Sequence, residues 1–179
     1  MGRDKATLPI DGEPLVNKVL AALRTCLPDL ILIGNRPERF DKYELPIFPD
    51  IHPGSALGGL HTGLSRAKTP YIFASACDLP FASPHILRYL ISVGDGFDAT
   101  VPLSGEHPEP LFSLYHKNCL DPMEQLLKAG NYRIRDLFPL VRTRFVPEAE
   151  FAGTGEGERP FLNINTVDEY EAIRKGEIS

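Results

Sequence analysis

The 179-residue chain is short of cysteine, has no long apolar run and carries no excess of positive charge, and each shortage closes off a class of protein. Its three cysteines, Cys26, Cys77 and Cys119, lie far apart and outside Cys-x-x-Cys spacing, so they suggest neither a disulfide framework nor a zinc site. A reducing cytoplasm is the expected setting. Nothing approaches the roughly 20 apolar residues that span a bilayer, so no membrane partner is expected. The opening Met1-Gly-Arg-Asp-Lys5 lacks the apolar stretch of a secretory signal, and Ala6 stands where myristoylation wants serine or threonine. With 19 Lys and Arg against 24 Asp and Glu, the formal charge is -5, which argues against a broad nucleic-acid surface. Any anion site must be local. The five histidines show no His-Glu-x-x-His spacing, and Ser75 lacks a Gly-x-Ser-x-Gly elbow, so neither a zinc protease nor a hydrolase triad is supported.

What is present is an alternation of helix-like and strand-like segments. Pro14 suits the first turn of a helix on which Leu15, Val16, Val19, Leu20 and Leu23 share one face before Pro28 stops it. Leu30-Ile31-Leu32-Ile33 is a continuous apolar run ending at Gly34-Asn35, the pattern of a parallel strand buried on both faces. A short strand near 47–48, a loop over 52–59 and a helix over about 59–67 lead to a second buried strand. That strand, Tyr71-Ile-Phe-Ala-Ser-Ala76, stops at Cys77-Asp78. Ser83-Pro84 is an N-cap and first-turn signal for a helix reaching about 93. Residues 98–103, 111–115 and 143–146 read as strands, 122–129 as a helix and 133–138 as a turn-helix. Thr166 opens a last helix, with Glu169 completing a capping box. The expectation is a single α/β domain over 1–179 with a mainly parallel sheet. Ligands of such sheets bind outside the carboxyl ends of the strands, which shortlists Gly34-Asn35-Arg36, Asp50 and Cys77-Asp78.

Asp78 closes an apolar strand, so its carboxylate projects from a fixed point and suits Mg²⁺, although an aspartate capping the next turn reads equally well. Asn163-Ile164-Asn165 puts two amides on one side of an extended segment, where they can share a ligand or serve as turn chemistry before the helix. Lys5 can neutralise a polyphosphate or simply be solvated. The loop Pro53-Gly-Ser-Ala-Leu-Gly-Gly59 can bring backbone N–H groups close to a base or phosphate, or be a plain tight loop. Arg133 and Arg135 form a phosphate-facing pair or a solvated edge.

Taken in order, the motifs are Met1-Gly-x-Asp-Lys5, Pro9-Ile-Asp-Gly-Glu-Pro-Leu15, Gly34-Asn-Arg36, Pro49-Asp50, 54–59, Cys77-Asp-Leu-Pro80, Glu109-Pro-Leu-Phe-Ser-Leu-Tyr115 and Asn163-Ile-Asn-Thr166. This set resembles the molybdenum cofactor guanylyltransferases over nearly the whole chain. The resemblance implies a Rossmann-like nucleotidyltransferase fold with helices on both faces of its sheet. It also implies an enzyme that uses Mg²⁺ to join GMP from GTP to molybdopterin, releasing pyrophosphate. Carried onto this sequence, Lys5 contacts the GTP phosphates, Asn35 and Asp50 hold the nucleoside, and Gly59 belongs to the guanine loop. Asp78 binds Mg²⁺ and touches GTP, while Asn163 and Asn165 lie by the pterin. Residues 55–59 resemble the guanylyl loop more than the cytidylyl one, so GTP is expected over CTP. Other molybdenum-cofactor proteins are expected partners. The rival readings are a cytidylyltransferase on the same fold and a non-catalytic relative that binds or scaffolds.

The family pattern begins with an apolar strand and a Leu-Ala-Gly-Gly loop ahead of Met-Gly-x-Asp-Lys, and this sequence starts downstream of both. The expectation is therefore a sheet without its first strand, either because the start was assigned at an internal methionine, the preferred reading, or through real truncation.

Overall fold

A computed structural model describes residues 9–10, 13–36, 38, 40–79, 82–151 and 172, with the side chains of 9, 10 and 13 outside it. The chain opens with a small antiparallel hairpin, β1 (Pro9–Ile10) and β2 (Glu13–Pro14). Helix α1 (Leu15–Arg24) follows, and Pro14 is its N-cap rather than part of its first turn. The five apolar positions spaced for one helical face, Leu15, Val16, Val19, Leu20 and Leu23, are all buried.

Two short strands, β3 (Leu32–Ile33) and β4 (Ile47–Phe48), pair in parallel with Leu32 opposite Ile47 and Ile33 opposite Phe48. Helix α2 (Ala56–Arg66) then leads to β5 (Tyr71–Ser75). The helix begins three residues earlier than its hydrophobic pattern suggests, because Ser55 caps it: the Gly58 N–H donates to Ser55 Oγ at 3.0 Å. Helix α3 (Pro84–Ser92) has the expected Ser83 N-cap and Pro84 at its start.

The remaining strands, β6 (Ala99–Ser104), β7 (His107–Pro108), β8 (Phe112–His116) and β9 (Thr143–Val146), form a five-stranded sheet with β5 in the order β5-β8-β6-β7, with β9 on β6. The class is α/β as expected, but the pairing is mixed: β6–β9 and β3–β4 are parallel, and β5–β8, β6–β8 and β6–β7 antiparallel. Connection length decides the β6–β7 pair. Gly105, with φ +60°, turns the chain between the paired residues Ser104 and His107, too short a link for a parallel crossover. The link from β8 to β9 has room for a crossover and contains helix α4 (Leu120–Lys128) and a 3-10 helix (Ile134–Leu140). A short helix, α5 (Glu148–Phe151), follows β9.

Alternation along the strands sends side chains to two cores. On one face Ile72, Ala74, Ala99, Val101 and Tyr115 pack with α2, α4 and the 3-10 helix. On the other, Phe73, Phe112 and Val146 pack with α1, α3 and Phe151 of α5. Helices therefore cover both faces. Helix α2 also bridges the two parallel-paired strands and the larger sheet: a Cβ on Gly63 would stand 3.6 Å from Ile33 and 3.7 Å from Ile72. No ladder joins β3 to β5 among the described residues. That leaves β3 and β5 half-buried, where their continuous apolar runs predict strands buried on both faces.

Candidate active site

Parallel pairing fixes the first part of the site. The Leu32 N–H donates to Pro46 O at 2.9 Å and the Gly34 N–H to Phe48 O at 3.0 Å, so β3 and β4 end side by side. Asn35 and Asp50, each two residues past its strand, consequently meet: the Asp50 N–H donates to Asn35 Oδ1 at 3.1 Å. Asp50 is half-buried. Its Oδ1 accepts the His52 N–H at 2.9 Å, an aspartate turn, and lies 3.0 Å from the Thr62 hydroxyl, which donates to it. Its Oδ2 faces Gly59, where an added Cβ would stand 3.9 Å away. Asn35, Asp50 and Gly59, three positions chosen from sequence, are thus one cluster.

The loop between β4 and α2 is held tightly against the helix. A Cβ on Gly58 would meet the His52 carbonyl oxygen at 2.0 Å, so only glycine permits this close approach. The glycine-rich stretch serves at least partly to fold the loop back on its own helix. His61, one turn into α2, sets its ring edge-on to His52 with centroids 5.0 Å apart. Burial first, and then His52, hold His61 below its ordinary value near 6.5, against the opposing pull of Glu124 and Asp50. Its buried Nδ1 has no hydrogen-bond partner among the described residues.

Asp78 lies beyond the end of β5 rather than of β3 or β4. The strand before it ends with the Ala76 N–H donating to Leu111 O at 2.8 Å, and Leu79 after it is buried in the α1–α3 core. Anchors on both sides hold the half-buried Asp78 at a fixed point beyond β5. Among the described residues no hydrogen bond or ion pair engages its carboxylate. Nor do three or more His, Cys, Asp or Glu side chains gather there as a metal-binding group. Lys5, Asn163 and Asn165 lie outside the described residues, as do the loop at 152–159 and the capping box at 166–169.

Comparison with known proteins gives this arrangement a family. The sequence model of the MobA-like NTP transferase domain matches residues 1–144. The chain belongs to that family. It is 34% identical over 175 residues to a relative from Pelotomaculum thermopropionicum named "Probable molybdenum cofactor guanylyltransferase", spanning 97% of this chain and 85% of the relative. It is 30% identical to the "Molybdenum cofactor guanylyltransferase" of Desulfosudis oleivorans, across 99% of this chain and 91% of that one. Molybdopterin-guanine dinucleotide biosynthesis protein A from Archaeoglobus fulgidus shares the fold with a TM-score of 0.83 and 24% identity, covering 99% of this chain and 93% of its own. A 2-C-methyl-D-erythritol 4-phosphate cytidylyltransferase from Thermus thermophilus shares it at 0.70 and 15%, covering 97% and 93%. The described residues of this family member contain no helix long and apolar enough to cross a membrane.

Sequence reasoning missed Thr62, His52 and His61. Thr62 sits in an apolar helical face and carries no motif. The Ser55 cap was missed too, although a serine just before a helix is a signal that could have found it. The motif Glu109-Pro-Leu-Phe-Ser-Leu-Tyr115 proves to be internal wiring: the Tyr115 hydroxyl donates to Pro110 O at 2.8 Å and the Ser113 hydroxyl to Glu109 O at 2.6 Å. Burial raises the Glu109 carboxyl above its ordinary value, with Arg135 and His107 opposing. Arg133 and Arg135 are both exposed, and Arg135 donates to the Pro108 carbonyl at 3.5 Å.

Proposed function

We propose that this chain transfers GMP from GTP to molybdopterin, releasing pyrophosphate and forming the guanine dinucleotide cofactor. The observation that carries the reading is the hydrogen-bonded Asn35 and Asp50 pair beside Gly59 at the carboxyl ends of two parallel strands. It occurs in a chain 34% identical to a relative named for that activity. An ionised carboxylate only accepts hydrogen bonds, so Asp50 suits a donor on the nucleoside, and Asn35 offers both donor and acceptor. Gly59 leaves the base room to approach. Lys5 acts on the phosphates as a point charge, and Asn163 and Asn165 serve the pterin.

Asp78 is the residue assigned to Mg²⁺. A carboxylate with no partner among the described residues fits an ion that takes one or two carboxylates together with substrate phosphates and water. It does not fit zinc, which wants three or four protein ligands. When bound, the metal supplies charge neutralisation on the phosphates. In the transfer, a phosphate oxygen of the pterin forms a bond to the α-phosphorus of GTP as the bond to the pyrophosphate oxygen breaks. The protein holds the two ends in line and offsets the charge gathering on the leaving group through Lys5. A phosphate nucleophile is largely ionised near neutral pH, so no side chain has to remove a proton. The reading takes residues 1–179 as one domain working in the cytoplasm, with molybdenum-cofactor proteins as further partners.

Calorimetric titration with GTP and with CTP, each with and without Mg²⁺, followed by pyrophosphate release on adding molybdopterin, tests it. Mg²⁺-dependent GTP binding and release are expected. A folded chain without nucleotide affinity overturns the reading, and a preference for CTP replaces it with a cytidylyl transfer.

A further inference from the structure

Thr62 is a polar residue fully buried in α2, with relative exposure of 0%. A helical threonine commonly bonds the carbonyl four residues back, and Thr62 Oγ1 does lie 2.9 Å from Gly58 O. That habit does not account for its other two contacts. Thr62 Oγ1 accepts the Ile51 N–H at 2.9 Å and stands 3.0 Å from Asp50 Oδ1. A hydroxyl has one proton and two lone pairs, so the Ile51 N–H uses a lone pair while Asp50 Oδ1 and Gly58 O share the proton. The same Asp50 oxygen also accepts the His52 N–H at 2.9 Å. Two donors thus hold Oδ1, and Oδ2 is left facing Gly59.

We propose that Thr62 is the positioning residue of the nucleoside grip: its buried hydroxyl fixes the Asp50 carboxylate so that one defined oxygen meets the nucleotide beside Gly59. The inference rests on the reading of Asp50 as a nucleoside ligand. Thr62 touches no substrate. It acts by locking the rotamer of Asp50 and the backbone at Ile51 to the first turns of α2, so that the carboxylate does not have to be ordered again at each binding event.

The test is a double-mutant cycle on the full chain with GTP as the probe, read by calorimetry and by KM and kcat. Thr62→Val removes the hydroxyl at nearly constant volume, and Thr62→Ser keeps it. Thr62→Val is expected to weaken GTP binding about tenfold, the scale of one hydrogen bond to a charged group, and to raise KM while kcat changes little. Thr62→Ser is expected to restore affinity to within about twofold. Adding Thr62→Val to Asp50→Ala should cost nothing further in affinity, because the group it positions is gone. A purely structural threonine would lower the melting temperature and leave GTP affinity unchanged well below it, and that result overturns the proposal. So does full additivity of the two substitutions. If Asp50→Ala binds GTP as tightly as wild type, or wild type does not bind it, the functional reading of Asp50 fails first and the proposal falls with it. If Asp50→Ala binds weakly while Thr62→Val is unaffected, the ligand role stands and only the positioning role is lost. Should Thr62→Val not fold, Thr62→Ala and Thr62→Ser carry the same comparison.

Discussion

The β3–β4 pair and the five-stranded sheet are built differently. Around β3 and β4 the strands are two residues long, half-buried, and finished by polar side chains: Asn35 accepts the Asp50 N–H, Thr62 bonds the loop at Asp50 and Ile51, and Ser55 caps α2. Around β6 and β8 the strands run to six and five residues, and Ala99, Val101, Phe112 and Tyr115 are fully buried. Position in the first region depends on directional hydrogen bonds to a few groups, and in the second on apolar area removed from water. The division suits a site that must present unpaired polar groups to a ligand, since such groups fit poorly into a dry core. Asp78 sits beyond a half-buried strand of the larger sheet but is pinned by the buried Leu79.

Substitutions in each region should separate function from stability. The largest effect is expected from Asp78→Ala: turnover falls by about a thousandfold or more, with the melting curve nearly unchanged, because no hydrogen bond or ion pair engages the carboxylate among the described residues. Near-normal Mg²⁺-dependent turnover in that variant would sink the assignment. Phe112→Ala does the reverse. It empties a fully buried site against which Phe73 stacks edge-on at 4.9 Å, and denaturant unfolding should show a loss of about 3–5 kcal/mol. A loss under about 1 kcal/mol would mean that the larger sheet is less tightly packed than its burial implies.

Gly58→Ala tests the junction of loop and helix. The added methyl cannot coexist with the His52 carbonyl, so the loop must shift, at a cost of about 1–3 kcal/mol and with weaker nucleotide binding. Unchanged binding would detach this loop from the nucleotide site.

The smallest effect is a pH dependence from His61. Unfolding frees its imidazole to take a proton at the ordinary value near 6.5, whereas folded His61 takes one only at lower pH. Its contribution to stability is therefore complete above about 6.5 and is lost as the pH falls from there through the lowered folded value. Melting temperatures measured across this range should decline on acidification, and His61→Gln should flatten that decline. An equal slope in the variant would assign it to other groups.

Wherever local pattern decides, the sequence was legible. The face of α1, the Ser83-Pro84 start of α3 and strand β9 at 143–146 match the structure, because helical periodicity and capping chemistry act over only a few residues. Asn35 and Asp50 do lie just past the ends of β3 and β4, a placement that needs only the limits of the apolar runs. Sheet handedness was not legible. An apolar strand reads the same whether its neighbour runs parallel or antiparallel, and the short turn at Gly105 decided for antiparallel.

The sequence by itself determined the helical faces, the caps and where the apolar strand runs end, because side-chain chemistry and spacing are written in it. Only the tertiary structure decided that Asn35 and Asp50 touch, that Gly58 is required by the His52 carbonyl, and that Thr62, unremarkable in its helix, holds Asp50 from behind. The reason is physical: a hydrogen bond between residues twelve or fifteen positions apart exists only once β3, β4 and α2 have packed, and no local pattern encodes its geometry.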